Sequence, residues 1–140
     1  MTTENPFGRS ITAEDIIDSL GFFDTWEERY KYIIDLGKEL PAMPDAEKQE
    51  DNLVKGCQSQ VWITHTLDDQ KYQFNVDSDA FIVKGLLGVV LAAYNNKSAS
   101  EIKVFDVEQY FDAVGLIKHL SPTRGNGLKA MVNKIQALAG

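Results

Sequence analysis

The sequence predicts an α+β domain: a small antiparallel β-sheet with helices packed on one face of it. Residues 12–40 show helical periodicity with capping residues at the helix starts. Residues 61–76 alternate between apolar and polar types on both sides of a short polar turn, as in a hairpin. From residue 80 onward the pattern is helical again. The order of helices, hairpin and further helices is typical of an α+β domain.

Two helices are expected before the hairpin. Residues 12–15 open a short amphipathic segment that ends at Gly21. Thr25 and Glu28 have the spacing of a capping box, in which the hydroxyl and the carboxylate each satisfy a free backbone amide. The helix that begins there has apolar residues at helical spacing and is expected to stop near residues 40–41, a Leu-Pro pair.

The middle of the chain predicts the hairpin itself. Six apolar residues alternate with polar ones along the two strands: Val61, Ile63, Leu67, Tyr72, Phe74 and Val76. The turn is centred near Asp69. That register places Trp62 opposite Asp77 or Ser78. Residues 53–54, a Leu-Val pair, could form a further short strand.

The second half of the chain is predicted to be helical. Residues 77–79 (Asp-Ser-Asp) are expected to cap a strongly apolar helix from Ala80 to Tyr94, whose only charge is Lys84. A helix that is apolar nearly all round is a buried, central one. Three more segments are expected to be helical: one capped by residues 98–101, one over residues 107–114, and one from Ser121 and Pro122 to about Ala139.

Length and composition limit the classes of protein. The chain has 140 residues, 44% of them hydrophobic and 25% charged, so residues 1–140 are expected to form one domain with residues 1–10 poorly ordered. A net charge of −7 repels phosphate backbones and argues against a nucleic-acid partner. No signal-peptide pattern and no run long enough to span a bilayer is found, so no membrane association is expected and the cytoplasm is the expected compartment.

Cys57 is the only cysteine, and it follows Gly56 in a polar approach to the hairpin. One cysteine cannot close an internal disulfide, and one cysteine with two histidines shows no metal-ligand spacing, so no metal site is expected. Position 57 belongs to no apolar period. From spacing alone, the thiol is either a nucleophile or an inert small side chain.

The predicted surroundings of Cys57 favour a thiolate. The hairpin register brings it near the start of the apolar helix, whose N-terminus carries about half a positive charge. Lys55 adds a nearby cation. His65 is eight residues away along an extended strand, about 25 Å, too far to act as a base. His119 is expected to be a loop residue, so spacing gives a Cys–His hydrolase no support.

Three segments stand out together: residues 56–62 (GCQSQVW), residues 77–80 (DSDA) followed by 82–86 (IVKGL), and residues 120–124 (LSPTR). They resemble the SufE family of sulfur-acceptor proteins. Residues 26–41 fit the family's N-terminal helix, and the resemblance covers about residues 7–139. Residues 5–8 and 12–14 are more similar to the CsdE branch, whereas residues 58–60 are more similar to SufE proper.

The resemblance implies a single SufE-like domain with a SufE/IscU-like fold and a role as a sulfur carrier. In such a system a SufS- or CsdA-type cysteine desulfurase, which carries pyridoxal phosphate, holds sulfur as a persulfide on its own cysteine. The carrier's cysteine takes the outer sulfur and delivers it onward, usually to an iron–sulfur (Fe-S) scaffold. Cys57 matches this acceptor position. The chain itself is then expected to be an activator of the desulfurase rather than an enzyme, with no cofactor of its own.

Five further residues are assigned to loop support or partner contact: Gly56, Gln58, Ser59, Asp77 and Arg124. Gly56 gives the backbone freedom, and Gln58 and Ser59 place uncharged hydrogen-bonding groups beside the sulfur. Asp77 and Arg124 match family positions near the cysteine end of the sheet. Two other functions stay open: a stand-alone cysteine-dependent hydrolase or thiol redox protein, and a non-catalytic binding module in which the thiol is incidental.

Overall fold

The computed structural model describes residues 5–56 and 59–139. Within these ranges the elements are α1 (Ala13–Phe22), α2 (Trp26–Gly37), β1 (Val61–Asp68), β2 (Lys71–Ser78), α3 (Phe81–Tyr94), α4 (Ala99–Val104), α5 (Val107–Val114) and α6 (Pro122–Ala139). Short 3₁₀ turns lie at Asp45–Glu47, Glu50–Asn52 and Ile117–His119. The predicted α+β fold is confirmed. None of the helices in these ranges combines the length and apolar character needed to cross a membrane.

The hairpin forms in the predicted register. β1 pairs antiparallel with β2, and Trp62 lies opposite Asp77. The two turn residues, Asp69 and Gln70, both have left-handed backbone conformations, with φ of 51° and 66°. A two-residue turn of this kind has a twist that matches the twist of the flanking strands. The hairpin therefore delivers the end of β2 next to the start of β1.

Helix α3 is the centre of the core, as its apolar sequence predicts. Every residue of α3 except Phe81 and Lys84 is buried. Helix α2 packs against α3 at very short range, because glycines lie at the contact. A Cβ at Gly85 would collide with the Ile33 carbonyl oxygen, and a Cβ at Gly37 would lie 2.8 Å from the Gly85 backbone nitrogen. The two helix backbones are thus in direct contact, with no side chain between them.

The starts of α1, α2 and α4 follow the sequence, with one difference at α2. α1 and α4 begin with reciprocal capping boxes. At α2, Thr25 accepts a hydrogen bond from the Glu28 backbone N–H at 3.3 Å, but the Glu28 carboxylate accepts from the Thr25 hydroxyl at 3.1 Å rather than from the backbone. The second half of the predicted box is therefore wrong. α2 ends at Gly37, and residues 38–40 continue as single turns bonded to the carbonyl three residues earlier.

The buried side chain of Asn95 joins three parts of the chain. Its Nδ2 donates to the Phe7 carbonyl oxygen at 2.9 Å, and its Oδ1 accepts from the Phe74 backbone N–H at 2.7 Å. Phe7 is fully buried, with its ring against Gly88 of α3. A single amide thus connects the N-terminal segment, β2 and the end of α3. Nothing in the local sequence pattern pointed to this contact.

Candidate functional site at the cysteine loop

Cys57 and Gln58 lie outside the described residues, and their predicted roles stay predictions. The other four predicted site residues are described and lie on the loop stems, at the end of β2 and in the first turn of α6: Gly56, Ser59, Asp77 and Arg124. The candidate site is therefore described through the segments around the cysteine loop: its two stems, the end of β2 and the first turn of α6.

The chain is paired on both sides of residues 55–60. The Val54 backbone N–H donates to the Val61 carbonyl oxygen at 2.8 Å, and Leu53 forms an isolated antiparallel bridge with Trp62. The expected short third strand is reduced to this one bridge, and the sheet has two strands within the described residues. The bridge fixes the two ends of the cysteine loop at the start of β1.

The polar residues before α3 hold the second stem of the loop. The N-cap of α3 is Ala80, which makes no side-chain cap, so the predicted cap by residues 77–79 is wrong. Ser78 Oγ instead donates to the Gln60 carbonyl oxygen at 2.7 Å, and the Asp79 carboxylate accepts from the Gln60 backbone N–H at 3.1 Å. The hairpin brings Gln60 beside the end of β2, and short polar side chains bond to whichever backbone group is nearest.

Asp77 is the buried centre of a charge network whose two lysines are partly exposed. Its side chain is 13% exposed, and its carboxylate lies 3.0 Å from Lys48 Nζ and 3.4 Å from Lys84 Nζ. Burial alone would raise the pKa of Asp77, but the hydrogen bonds from Lys48 and the Ser78 N–H and the charge of Lys84 together lower it. The same pairing raises the pKa of Lys48, first through its hydrogen bond to Asp77.

This network connects the segment before the loop to the hairpin and to α3. Lys48 follows the Asp45–Glu47 turn, and its ammonium also lies 5.7 Å from the centre of the Trp62 ring. Of the two roles that the sequence left open for Asp77, the buried and doubly paired carboxylate favours loop support over partner contact.

Gly56 occupies a position that only glycine fits comfortably. Its φ is 97°, and a Cβ there would lie 3.3 Å from the Ala130 Cβ of α6. A left-handed backbone and a close neighbour both disfavour a side chain. The first stem of the loop therefore passes directly against α6.

A small cavity adjoins the second stem. Its volume is about 60 Å³, and it is lined by Ser59, Val83, Leu86, Thr123, Arg124, Gly127 and Met131. The cavity brings two predicted site residues together, Ser59 from the loop and Arg124 from α6. The Arg124 side chain is exposed, and its backbone N–H donates to the hydroxyl of Ser121, the residue before α6. Asp77 belongs to the separate charge network rather than to this cavity.

The two histidines lie in aromatic contacts. His65 is exposed on β1, with its ring 5.7 Å from the Tyr72 ring. His119 stacks on Trp26 at 4.0 Å with an interplanar angle of 22°. Within the described part of the chain, no group of three or more His, Cys, Asp or Glu side chains is placed to hold a metal ion.

Lys48 is the functional-site residue that sequence analysis missed. It lies in a polar linker, where a lysine is expected to be solvated, and its partner Asp77 is far away along the chain. The only available hint was a basic residue among the acidic ones of residues 45–51. The pairing depends on the path of the linker across the hairpin, which no local pattern encodes.

The fold defines a class: a small α+β domain in which the one cysteine of the sequence comes shortly before a hairpin that leads into a central buried helix. A solved structure of this fold is the solution structure of a hypothetical protein from Thermus thermophilus, with a TM-score of 0.74. The two chains are 18% identical, and the match covers 91% of this chain and 92% of that one. This likeness concerns the fold alone.

The sequence comparisons identify the family. The model described as "SufE: Fe-S metabolism associated domain" matches residues 14–139. An uncharacterized SufE-like protein of Rhizobium meliloti is 46% identical over 132 residues, covering 91% of this chain and 94% of that protein. A second, from Rhizobium etli, is 46% identical over 129 residues, covering 89% and 87%. This chain belongs to the SufE family, a family associated with iron–sulfur metabolism, as the sequence motifs predicted.

Proposed function

We propose that this protein is a persulfide carrier that accepts sulfur on Cys57 from a pyridoxal-phosphate-dependent cysteine desulfurase of the SufS or CsdA type. One observation carries the proposal: in this SufE-family chain the segments before and after the only cysteine of the sequence are bonded to each other and, through Gln60, to the residues before α3. Both segments lie at the end of the hairpin where β1 begins.

The transfer of sulfur from the desulfurase to Cys57 needs no added oxidant or reductant. The Cys57 thiolate attacks the outer sulfur of the partner's cysteine persulfide, and a new S–S bond forms on Cys57. The S–S bond of the donor breaks, and the donor's inner sulfur leaves as a thiolate. The outer sulfur moves together with its proton. A second cysteine nearby would discharge the product as a disulfide, and this chain has none.

Electrostatics near the loop support a thiolate. The Asp79–Gln60 bonds connect the loop stem to the start of α3, and Ser59 shares a cavity with the first turn of α6. Each helix start carries about half a positive charge, which favours a nearby anion. Lys55 adds an exposed cation in the loop itself. Arg124 is suited to contact the partner, because its exposed side chain forms no ion pair with the described residues.

In the proposed system, the carrier and the desulfurase have separate roles. The carrier stimulates the desulfurase by removing its persulfide and is not itself the enzyme. The pyridoxal phosphate belongs to the partner, and this chain brings no cofactor. The sulfur passes to an iron–sulfur scaffold or another acceptor, and the exchange takes place in the cytoplasm, where thiols stay reduced.

Intact-mass measurement tests the proposal. After mixing with an active desulfurase and free cysteine, Cys57 is expected to become about 32 Da heavier and to return to its original mass with a reductant. The matched control, Cys57→Ser, is expected to gain no mass and to leave the desulfurase unstimulated. Absence of the adduct on the wild-type chain, with a desulfurase shown to be active, contradicts the proposal.

The same preparation distinguishes the stand-alone alternatives. A cysteine hydrolase or thiol redox protein turns over an ester, an amide or a peroxide without any desulfurase, through Cys57. Turnover that is lost in Cys57→Ser and needs no partner would favour that class. Full stimulation of the desulfurase by Cys57→Ser would favour a binding module in which the thiol is incidental.

A further inference from the structure

Phe81 is the exception in the most buried helix of the protein. It is the first residue of α3, and its side chain is 77% exposed. The other residues of α3 are buried, apart from Lys84, which is paired with Asp77. The first turn of a helix favours acidic and polar side chains, and a phenylalanine contributes nothing to that turn. The core therefore does not explain the presence of this ring.

The position of Phe81 relates it to the candidate site. Two residues earlier, Asp79 bonds to Gln60 through its side chain, and the Asp79 backbone N–H donates to the Gln60 carbonyl oxygen at 3.3 Å. Two residues later, Val83 lines the cavity that Ser59 also lines. Phe81 thus follows the Asp79–Gln60 contact by two residues, at the end of the domain where the loop stem meets the start of α3.

We infer that Phe81 is an apolar anchor of the surface on which the desulfurase docks, and that the desulfurase offers an apolar pocket for this ring. The inference rests on the proposed function. Sulfur transfer requires the two sulfur atoms to touch, so the partner covers the end of the domain that carries the loop. A protein interface of ordinary size covers about 800 Å² of each partner, a patch about 16 Å in radius.

Phe81 and its polar neighbours are of the types found at the centre and the rim of protein–protein interfaces. Aromatic residues are enriched in such centres, where they are surrounded by polar groups that exclude water. Polar side chains flank Phe81 along the chain, with exposed Asp79 two residues before it and partly buried Lys84 one turn later. A second copy of this chain is a poor occupant, because each copy carries a net charge of −7 and the copies repel each other.

A matched pair of substitutions tests the anchor. Phe22, at the end of α1, is 81% exposed, and its ring contacts Phe23 at 5.7 Å. Single exposed apolar residues are common on protein surfaces, so Phe22→Ala controls for the loss of exposed apolar area as such. Phe81→Ala is expected to weaken desulfurase binding about tenfold or more, whereas Phe22→Ala changes it less than about twofold. Calorimetry or surface-immobilised binding gives both dissociation constants.

The persulfide readout separates docking from chemistry. At a desulfurase concentration that saturates Phe81→Ala, this variant is expected to load Cys57 with sulfur to the wild-type extent. Phe81→Tyr keeps the ring and is expected to keep the affinity within about threefold. Circular dichroism and thermal unfolding check that every variant is folded, as expected for changes at exposed positions.

The outcomes are distinct. If Phe81→Ala weakens desulfurase binding by less than about tenfold, or if Phe22→Ala weakens it equally, Phe81 is not an anchor, even though the wild-type chain still accepts sulfur. Failure of the wild-type chain to accept sulfur overturns the proposed function itself. A wild-type dimer that Phe81→Ala dissociates, seen by sedimentation velocity, assigns the ring to a second copy and also overturns the inference.

Discussion

At the end where β1 begins and β2 ends, the hairpin is buried on both faces, whereas at the turn the same two strands are largely exposed. On the site side, side chains from residues 77–79 bond to Gln60, Lys48 and Lys84. On the turn side, residues 65–68 of β1 are exposed, and the ladder and the turn conformation hold them. On β2, Tyr72 is bonded to residues 96 and 97, so the contrast between the two ends is sharpest along β1, whose buried end adjoins the cysteine loop.

Ile63 and Leu67 give the largest expected contrast between the two halves. Both lie on the same face of β1, but Ile63 is 1% exposed and Leu67 is 59% exposed. Ile63→Ala is expected to lower the free energy of unfolding by about 2–5 kcal/mol, because it leaves a cavity in the core. Leu67→Ala is expected to cost less than about 1 kcal/mol. Urea unfolding followed by circular dichroism measures both, and equal losses would contradict the comparison.

The second contrast concerns charge. Asp77→Asn is expected to lower the free energy of unfolding by about 1–2 kcal/mol, because Lys48 and Lys84 lose their ion pairs with a buried carboxylate. Asp68→Asn changes an exposed carboxylate opposite Lys71 at the turn end and is expected to cost less than about 0.5 kcal/mol. The measurement is again chemical unfolding. A loss in Asp68→Asn as large as that in Asp77→Asn would show that burial does not set the difference.

The stabilising effect of Asp77 is expected to depend on pH in a defined direction. Its pKa in the folded protein is below the ordinary value of 3.8, so the folded state binds this proton less readily than the unfolded state. The contribution is fully present above the unfolded pKa and is lost as the pH falls through the lower, folded pKa. The difference in stability between wild type and Asp77→Asn should therefore stay constant from pH 7 to about pH 5 and shrink below about pH 4. A difference that grows on acidification would contradict this assignment.

The smallest expected loss of stability comes from removing a single hydrogen bond between Ser78 and Gln60. Ser78→Ala removes the hydrogen bond to the Gln60 carbonyl oxygen and is expected to cost about 0.5–1.5 kcal/mol. Amide hydrogen exchange is expected to quicken at Asp79, whose N–H donates to the same oxygen, and to stay unchanged at Leu67 near the turn. Faster exchange along the whole hairpin would mean that the bond stabilises both halves equally.

Local patterns predicted most of the fold. The register that pairs Trp62 with Asp77, the burial of α3 and the bounds of α5 all follow from periodicities and turn residues that are close together in sequence. The family assignment followed from the motifs around Cys57 and was confirmed by the family model.

The errors arose where one side chain had two nearby backbone groups to choose from. Ser78 and Asp79 have the composition of a helix cap, but the fold brings Gln60 closer to them than the α3 amides. Glu28 likewise bonds to the Thr25 hydroxyl instead of the backbone. Choices of this kind differ by about 1 kcal/mol and depend on the tertiary structure, which sequence patterns do not contain.

The direct backbone contact of Gly37 and Ile33 with Gly85 has a kinetic consequence. Helices that touch without intervening side chains have no room to slide past each other, so α2 and α3 move as one rigid frame. Phe81, the first residue of α3, belongs to that frame. An approaching protein would then meet a pre-formed surface, and the association rate would be limited by diffusion and orientation rather than by a slow rearrangement of the domain.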